Sequence, residues 1–362
     1  MSRKTVLIAG ATGLVGYAAL KHFGAEPDTR VIALSRRVPH ALQGATHIPL
    51  DLTDRAACEA SAASLTDVTH LVYAALFELP GLVDGWRNDA QIETNDRMLR
   101  NLLEPLMRAA PNLRHVTLLQ GTKAYGVHVR PLTVPAREGR SEMREQPNFY
   151  WNQEDYLRAR QPGSSWHFTI LRPVLIVGEA IGGAMNLIPA LGVHAALMRE
   201  AGTTLPYPGG PPRVGQAVDA DLLARAIGWS GDSPAARNET FNVTNGDVFV
   251  WENVWPAIAD ACGMRAAPPA PFSLHAHLAS DRWDAIRARH GLTSPGMADF
   301  VGLSLEYADY QMRYGQEAPG PAAIVSTIKI MQAGFTEVMD TEAMFRKWFK
   351  VYRDRGWLPP LG

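Results

Sequence analysis

Three glycines set three residues apart, Gly10, Gly13 and Gly16, follow an apolar run from Thr5 to Ala9. Glycines placed between a strand and a helix can cradle a pyrophosphate. Gly10 gives the tight turn, Gly13 lets backbone approach the phosphates, and Gly16 lets the next helix pack against the sheet. The helix start, with Thr12, Leu14 and Val15 beside the glycines, offers unpaired N–H groups to the anion. Twenty residues past Gly16 lies Arg36, flanked by Ser35 and Arg37. An acid there would bind a ribose 2′-hydroxyl and repel a 2′-phosphate, whereas arginine clamps the phosphate. The chemistry implied is dinucleotide binding, with NADPH/NADP+ as the expected cofactor.

A second set of residues has the types needed to stabilise charge on a substrate. The glycine spacing is typical of the short-chain dehydrogenase/reductases, which usually carry Tyr-x-x-x-Lys on one helix. Four residues put both side chains on one face, and the ammonium lowers the phenol from its usual pKa of about 10. Tyr17 and Lys21 fit the string but belong to the first helix, under the pyrophosphate. Tyr156 is followed by Arg160, and Tyr150 by Glu154, an acid where the lysine belongs. The lysine must therefore come from elsewhere. Lys123 stands at the end of an apolar run, in Gly121-Thr122-Lys123-Ala124-Tyr125-Gly126, and Tyr150 opens the next helix-like stretch. A lysine from a strand end and a tyrosine from the adjacent helix can converge on one point. Taken singly, Lys123 also reads as a solvated loop residue and Tyr150 as a helix-start packing residue.

Such residues need a frame, and the first half of the chain supplies one. Strand-like runs at 5–9, 31–34, 47–50, 70–74, 115–119 and 167–171 alternate with helix-like stretches near 14–23, 54–63, 88–109 and 150–160. That alternation predicts an α/β fold, a Rossmann doubly wound parallel sheet. Ligands sit at the carboxyl ends of such strands. After the third strand come Asp51 and Leu52, with Asp51 either at the adenine amino group or capping the next helix. After the fourth come Ala74 and Ala75, after the fifth Gln120, and after the sixth Pro173 and Val174, whose backbone can meet the nicotinamide amide. Tyr150 completes the expected cofactor contacts.

From about residue 180 the texture changes to dense glycine and proline, then to helical stretches at 251–262, 281–290, 297–313 and 341–356. We expect residues 1–178 to form the NADP-binding domain, segments near 214–250 to return to it, and 179–362 to form a smaller, mostly helical substrate-binding region. The recurring tryptophans there read mainly as core.

Bulk properties narrow the class. The chain has 362 residues, 46% of them hydrophobic, with 35 basic and 36 acidic side chains. A balance near neutrality gives no reason to expect nucleic acid or an anionic membrane as partner. Two cysteines, Cys58 and Cys262, suggest neither a disulfide framework nor a zinc site, and His275 and His277 lack matching acids. No metal is expected. No apolar run reaches the roughly 18 residues of a membrane span. The expectation is a cytoplasmic protein, monomeric or homodimeric, acting on a small molecule.

Two strings carry a family resemblance. Gly-Thr-Lys-x-Tyr (121–125) and Asn-Phe-Tyr-x-x-x-Glu-Asp (148–155) resemble the progesterone 5β-reductase/iridoid synthase-like enone reductases, an atypical branch of the short-chain dehydrogenases. Phe241 to Phe249 with Trp251 and Trp255, and Ser326-Thr327 with Gly334-Phe335 and Asp340-Thr341, extend the similarity over nearly the whole chain. The resemblance implies Lys123 and Tyr150 as the catalytic pair. Many plant members have a second tyrosine where this chain has Trp151, and a histidine where it has Ala124. These departures imply a different pocket. Met143, Trp151, Asn186 and Phe335 are pocket candidates by position and resemblance, and Asn95 is either a water-orienting residue or a plain helix-face residue.

The implied reaction is NADPH-dependent 1,4-reduction of the C=C bond of an α,β-unsaturated carbonyl, an enone, with Tyr150 stabilising the enolate. Ketone or aldehyde reduction uses the same pair and stays open. Sugar-nucleotide epimerisation is disfavoured by Arg36, Arg37 and Glu154. A Rossmann protein that only senses NADP would not need both Tyr150 and Lys123.

Overall fold

Val6-Leu7-Ile8-Ala9 has no polar face, which suits a strand covered on both sides, and in the computed structural model all four side chains are fully buried. The structure describes residues 4–79, 84–277 and 279–361. Along the first part of the chain β1 (Lys4–Ala9), α1 (Leu14–Gly24), β2 (Thr29–Ser35), β3 (Thr46–Pro49), α2 (Arg55–Ser61), β4 (His70–Tyr73), α3 (Asp89–Ala109), β5 (His115–Leu119), α4 (Phe149–Arg160) and β6 (His167–Pro173) follow one another. Then come β7 (Leu175–Val177), α5 (Leu187–Glu200), β8 (Leu205–Pro206), β9 (Ala217–Asp219), α6 (Ala220–Asp232), β10 (Glu239–Val243) and α7 (Trp251–Ala261). The last are β11 (Ala266–Ala267), α8 (Ser280–His290), α9 (Met297–Val301), α10 (Ser304–Gln311), α11 (Ile328–Gln332) and α12 (Thr341–Asp354).

The chain divides into two compact units. One comprises Met1–Val174, Asp221–Val243 and Val325–Glu337, and the other Leu175–Ala220, Thr244–Ile324 and Val338–Gly362.

In the first unit seven strands form a sheet in the order β10-β6-β5-β4-β1-β2-β3, and every pairing is parallel. This is the doubly wound Rossmann architecture. The strand order reverses between β1 and β4, where such sheets open a crevice at their carboxyl ends. On one face Leu7, Leu71, Val116 and Leu118 pack against Leu99, Leu103 and Leu106 of α3. Asn88 starts that helix by accepting from Ala90 N–H at 2.9 Å.

In the second unit the tryptophans pack its core. Trp283 stacks on Phe300 with centroids 5.8 Å apart, Trp348 Nε1 donates to Asp219 Oδ2 at 2.9 Å, and Trp255 Nε1 donates to Leu205 O at 3.1 Å. The helix expected over 297–313 is broken. Gly302, at φ +54°, turns the chain between α9 and α10, and a Cβ there would lie 2.9 Å from Gly182 O. The sequence reading also missed α5. Its residues from Leu187 to Leu197 are all buried, so no polar face marks its period. Among the described residues no helix is long and apolar enough to cross a membrane.

Candidate active site

The glycine turn closes on the strand crossover. Gly10 takes φ +85°, and a Cβ on it would meet the backbone of Ala74 and Ala75 at 2.8 Å. A Cβ on Gly16 would sit 2.1 Å from Gly10 O, so only glycine lets α1 approach the turn this closely. Gly13 caps α1 without a side-chain hydrogen bond, and no acid stands in the first turn. The N–H groups of that turn are therefore open to an anion, as a dinucleotide pyrophosphate requires.

At the end of β2, Ser35 Oγ donates to Arg37 O at 2.7 Å, and the His47 ring nitrogen lies 3.1 Å from Ser35 O. These contacts fix a turn whose next two side chains, Arg36 and Arg37, are exposed. Asp51 accepts from both the N–H (2.9 Å) and the hydroxyl (2.8 Å) of Thr53. Those two bonds, with the Arg36 charge nearby, hold its carboxyl below the usual value. The capping alternative for Asp51 is overturned. Asp54, one residue before α2, is the cap and accepts from Ala57 N–H at 3.0 Å, while Asp51 accepts both Thr53 hydrogen bonds on Oδ1.

Lys123 lies in a short 3-10 turn over Thr122–Tyr125, just after β5. Its Nζ sits 3.6 Å from the centre of the Trp86 ring. Burial pushes its pKa down to about 8, with Glu78 opposing. Tyr150 is the second residue of α4 and is buried, its ring edge-on to Trp86 at 5.5 Å. A Cβ on Gly121 would lie 3.4 Å from the Tyr150 hydroxyl and 3.5 Å from Pro173 O. The phenol thus sits where the carboxyl ends of β5 and β6 meet. Burial and then the Glu78 charge push its pKa up, with Arg172 opposing. Tyr150 is held as a neutral hydrogen-bond donor, unlike the lysine-lowered phenol of a Tyr-x-x-x-Lys helix.

Beneath Tyr150 lies a polar cluster that sequence reasoning missed. Arg172, 1% exposed, donates to Gln120 Oε1 (2.7 Å), Glu142 (2.7 Å), Glu154 (3.2 Å) and the Tyr125 hydroxyl (3.3 Å). Gln120 Nε2 in turn donates to Tyr150 O at 3.1 Å and to Glu154 at 3.2 Å. Gln120, expected at the cofactor, has its amide engaged here, with Nε2 tied to α4 and Oε1 accepting from Arg172 of β6. The one available signal was Glu154 itself, an acid in place of the lysine.

The match to known proteins decides the lineage. Residues 53–313 match the family described as PRISE-like Rossmann-fold domain. The chain belongs to this family. An (S)-8-oxocitronellyl enol synthase of Antirrhinum majus is 29% identical, covering 99% of this chain and 93% of the relative. The enzyme of the same name, ISY2, from Nepeta racemosa is 31% identical over 81% of this chain and 78% of its own. Among solved structures, a short-chain dehydrogenase/reductase superfamily protein from Agrobacterium tumefaciens superposes with a TM-score of 0.65 at 17% identity, covering 97% of this chain and 98% of that one. A UDP-N-acetylglucosamine 4-epimerase from Methanobrevibacter ruminantium gives 0.68 at 15% identity, covering 98% and 100%. At those identities the structures share the fold.

Within this PRISE-like chain the secondary candidates are tied down. Trp151 lies under Arg144 at 4.6 Å and Arg172 at 5.7 Å. Met143 fills the space a Cβ on Gly126 would need. Phe335 packs on Trp229 at 5.7 Å. In the second unit, Asn186 Nδ2 donates to Gly178 O, Ala180 O and the Tyr352 hydroxyl. Asn95 does not present its amide to water. It accepts from Phe77 N–H at 2.9 Å and donates to Phe77 O at 2.8 Å.

Proposed function

We propose that this protein is an NADPH-dependent enone reductase, which adds hydride to the β-carbon of an α,β-unsaturated carbonyl. The observation that carries the reading is the buried, neutral Tyr150 phenol beside Gly121, with the Lys123 ammonium on the Trp86 ring nearby. When bound, the nicotinamide dinucleotide supplies the hydride. The turn from Gly10 through Thr12, Gly13, Leu14, Val15 and Gly16 holds the pyrophosphate. Arg36 and Arg37, on the turn fixed by Ser35, clamp the 2′-phosphate. Asp51 and Leu52 face the adenine, Ala74 and Ala75 pass beneath as backbone, and Pro173 and Val174 meet the carboxamide. Lys123 holds the ribose hydroxyls and keeps the local potential positive.

Negative charge develops on the substrate's carbonyl oxygen as the β-carbon is reduced. Tyr150 donates a hydrogen bond to that oxygen, and the bond strengthens as the enolate forms. A phenol with a raised pKa keeps its proton at neutral pH, which suits a donor that stabilises charge without surrendering the proton. Solvent returns the proton to the α-carbon. Relatives named for making an enol support a reaction whose charge collects on a carbonyl oxygen. We infer the same site for this chain, with a different pocket.

The test is NADPH oxidation with 2-cyclohexen-1-one, progesterone and a saturated ketone side by side, with products identified and NADH as control. Loss of the C=C bond is expected, and Tyr150→Phe should cost roughly a hundredfold in turnover, since one such donor is worth about 3 kcal/mol. Alcohol as product would move the protein to the ketone reductases. Wild-type rates in Tyr150→Phe would remove the assignment.

A further inference from the structure

Glu78 belongs to no motif, yet the fold fixes it with care. Phe77, before it, exchanges two hydrogen bonds with the Asn95 amide, at 2.9 and 2.8 Å. Leu79, after it, donates its N–H to Gln91 Oε1 at 2.8 Å. Asn95 and Gln91 stand four residues apart on α3 and are buried to 0% and 1% exposure. The backbone on both sides of Glu78 is thus pinned to one helix face.

The carboxylate held in this way accepts from Trp86 Nε1 at 3.2 Å. On the face of the same indole sits Lys123 Nζ, 3.6 Å from the ring centre, and Tyr150 meets the indole edge-on at 5.5 Å. An indole whose N–H is engaged by an anion carries more negative charge on its face. The two contacts on Trp86 therefore reinforce each other.

We propose that Glu78 is a positioning residue of this site: its carboxylate, engaged on Trp86, is a counter-ion that helps keep Lys123 charged on the indole face beside a neutral Tyr150. The effect on turnover rests on the enone-reductase reading, whereas the charge pairing stands in the free protein. Burial drives Lys123 towards its neutral form, and Glu78 opposes it. The same charge raises Tyr150. Among the described residues His128, beyond the turn after β5, also faces Lys123, and burial, Lys123 and Arg87 lower its pKa to about 4. It supplies no compensating negative charge.

The test reads Lys123 directly. The chain has six lysines (Lys4, Lys21, Lys123, Lys329, Lys347 and Lys350), so ¹³C-methylation gives a short NMR spectrum in which Lys123 is assigned by its loss in Lys123→Arg. Glu78→Gln should lower the Lys123 titration midpoint by about one unit, as loss of a nearby opposite charge requires. Trp86→Phe keeps the ring face and removes the N–H donor, and should lower the midpoint by less. In the same variants the alkaline limb of kcat with 2-cyclohexen-1-one should move in step, with KM changed by less than about twofold. An unmoved midpoint in folded Glu78→Gln overturns the proposal, as does a moved midpoint with an unmoved alkaline limb. If the wild type is inert towards enones, a moved midpoint still supports the counter-ion while the enone reading falls. Should Glu78→Gln fail to fold, Trp86→Phe carries the comparison, and an unmoved Lys123 midpoint in that variant overturns the proposal.

Discussion

Glu154 stands one helical turn after Tyr150, and its carboxylate accepts from the buried Arg172 guanidinium at 3.2 Å. Arg144 and Arg158 reach the other carboxylate oxygen at 3.0 and 2.9 Å. The position that carries lysine in a Tyr-x-x-x-Lys helix is thus an anion neutralised by three arginines. Restoring the string with Glu154→Lys sets a like charge against all three and strips the buried Arg172 of one of its two carboxylate partners, leaving Glu142. Breaking one side of a buried pair costs about 3–5 kcal/mol. Glu154→Lys should therefore unfold at lower urea and recover no activity. A variant as stable as wild type would show that the cluster does not hold α4.

Gly121 gives a sharper test of the substrate's approach. Its φ of −173° is extended backbone open to any residue. A Cβ there would rest 3.4 Å from the Tyr150 hydroxyl, ordinary contact distance. Gly121→Ala should fold and keep its affinity for NADPH, because nothing is displaced. The added methyl covers the phenol oxygen where the carbonyl must dock, and turnover should fall at least tenfold, about 1.4 kcal/mol of lost transition-state binding. Full turnover in this variant would place the substrate oxygen elsewhere.

The strands were legible because buried parallel strands read as unbroken apolar runs, and Val6 to Ala9 or Val31 to Leu34 offer no rival period. The glycine turn was legible because its φ and close approaches admit one residue type. The Arg172 cluster was not. Gln120, Glu142, Glu154 and Arg172 come from four separate segments that meet only in the fold, where β5–β6 pairing sets the segment of Gln120 beside that of Arg172. Glu78 was invisible for a related reason: its meaning depends on Asn95 and Gln91, which the sequence shows only as polar residues on a helix. The segment after β6 was hard to read because α5 is buried nearly all round, which erases the polar face that periodicity needs.

Cofactor choice can be tested at the end of β2. Arg36 and Arg37 are exposed, so each phosphate contact is screened and sits at the low end of charge-assisted bonds, about 1.5 kcal/mol. The double variant Arg36→Ala/Arg37→Ala should weaken NADP+ binding by roughly a hundredfold while leaving NAD+ within about twofold. Calorimetric titration with both dinucleotides checks this. Equal losses for the two would mean that the arginines do not read the 2′-phosphate.

Stability should fall on the acid side of neutrality, before the carboxylates titrate. His70 and His115 lie in adjacent positions on β4 and β5, with ring centroids 6.4 Å apart. Burial lowers His70 to about 4 and His115 to about 3, with the His70 charge lowering His115 further. Unfolded histidine titrates near 6.5. Because both folded values lie below that, the unfolded chain binds protons first as pH drops. The stabilisation is complete above about pH 6.5 and is lost progressively down to about pH 4, where His70 charges in the fold. One such shift amounts to roughly 2–3 kcal/mol. His115→Gln, which cannot charge, should flatten the slope of urea stability between about pH 6.5 and 4. An unchanged slope would assign the acid sensitivity to groups other than His115.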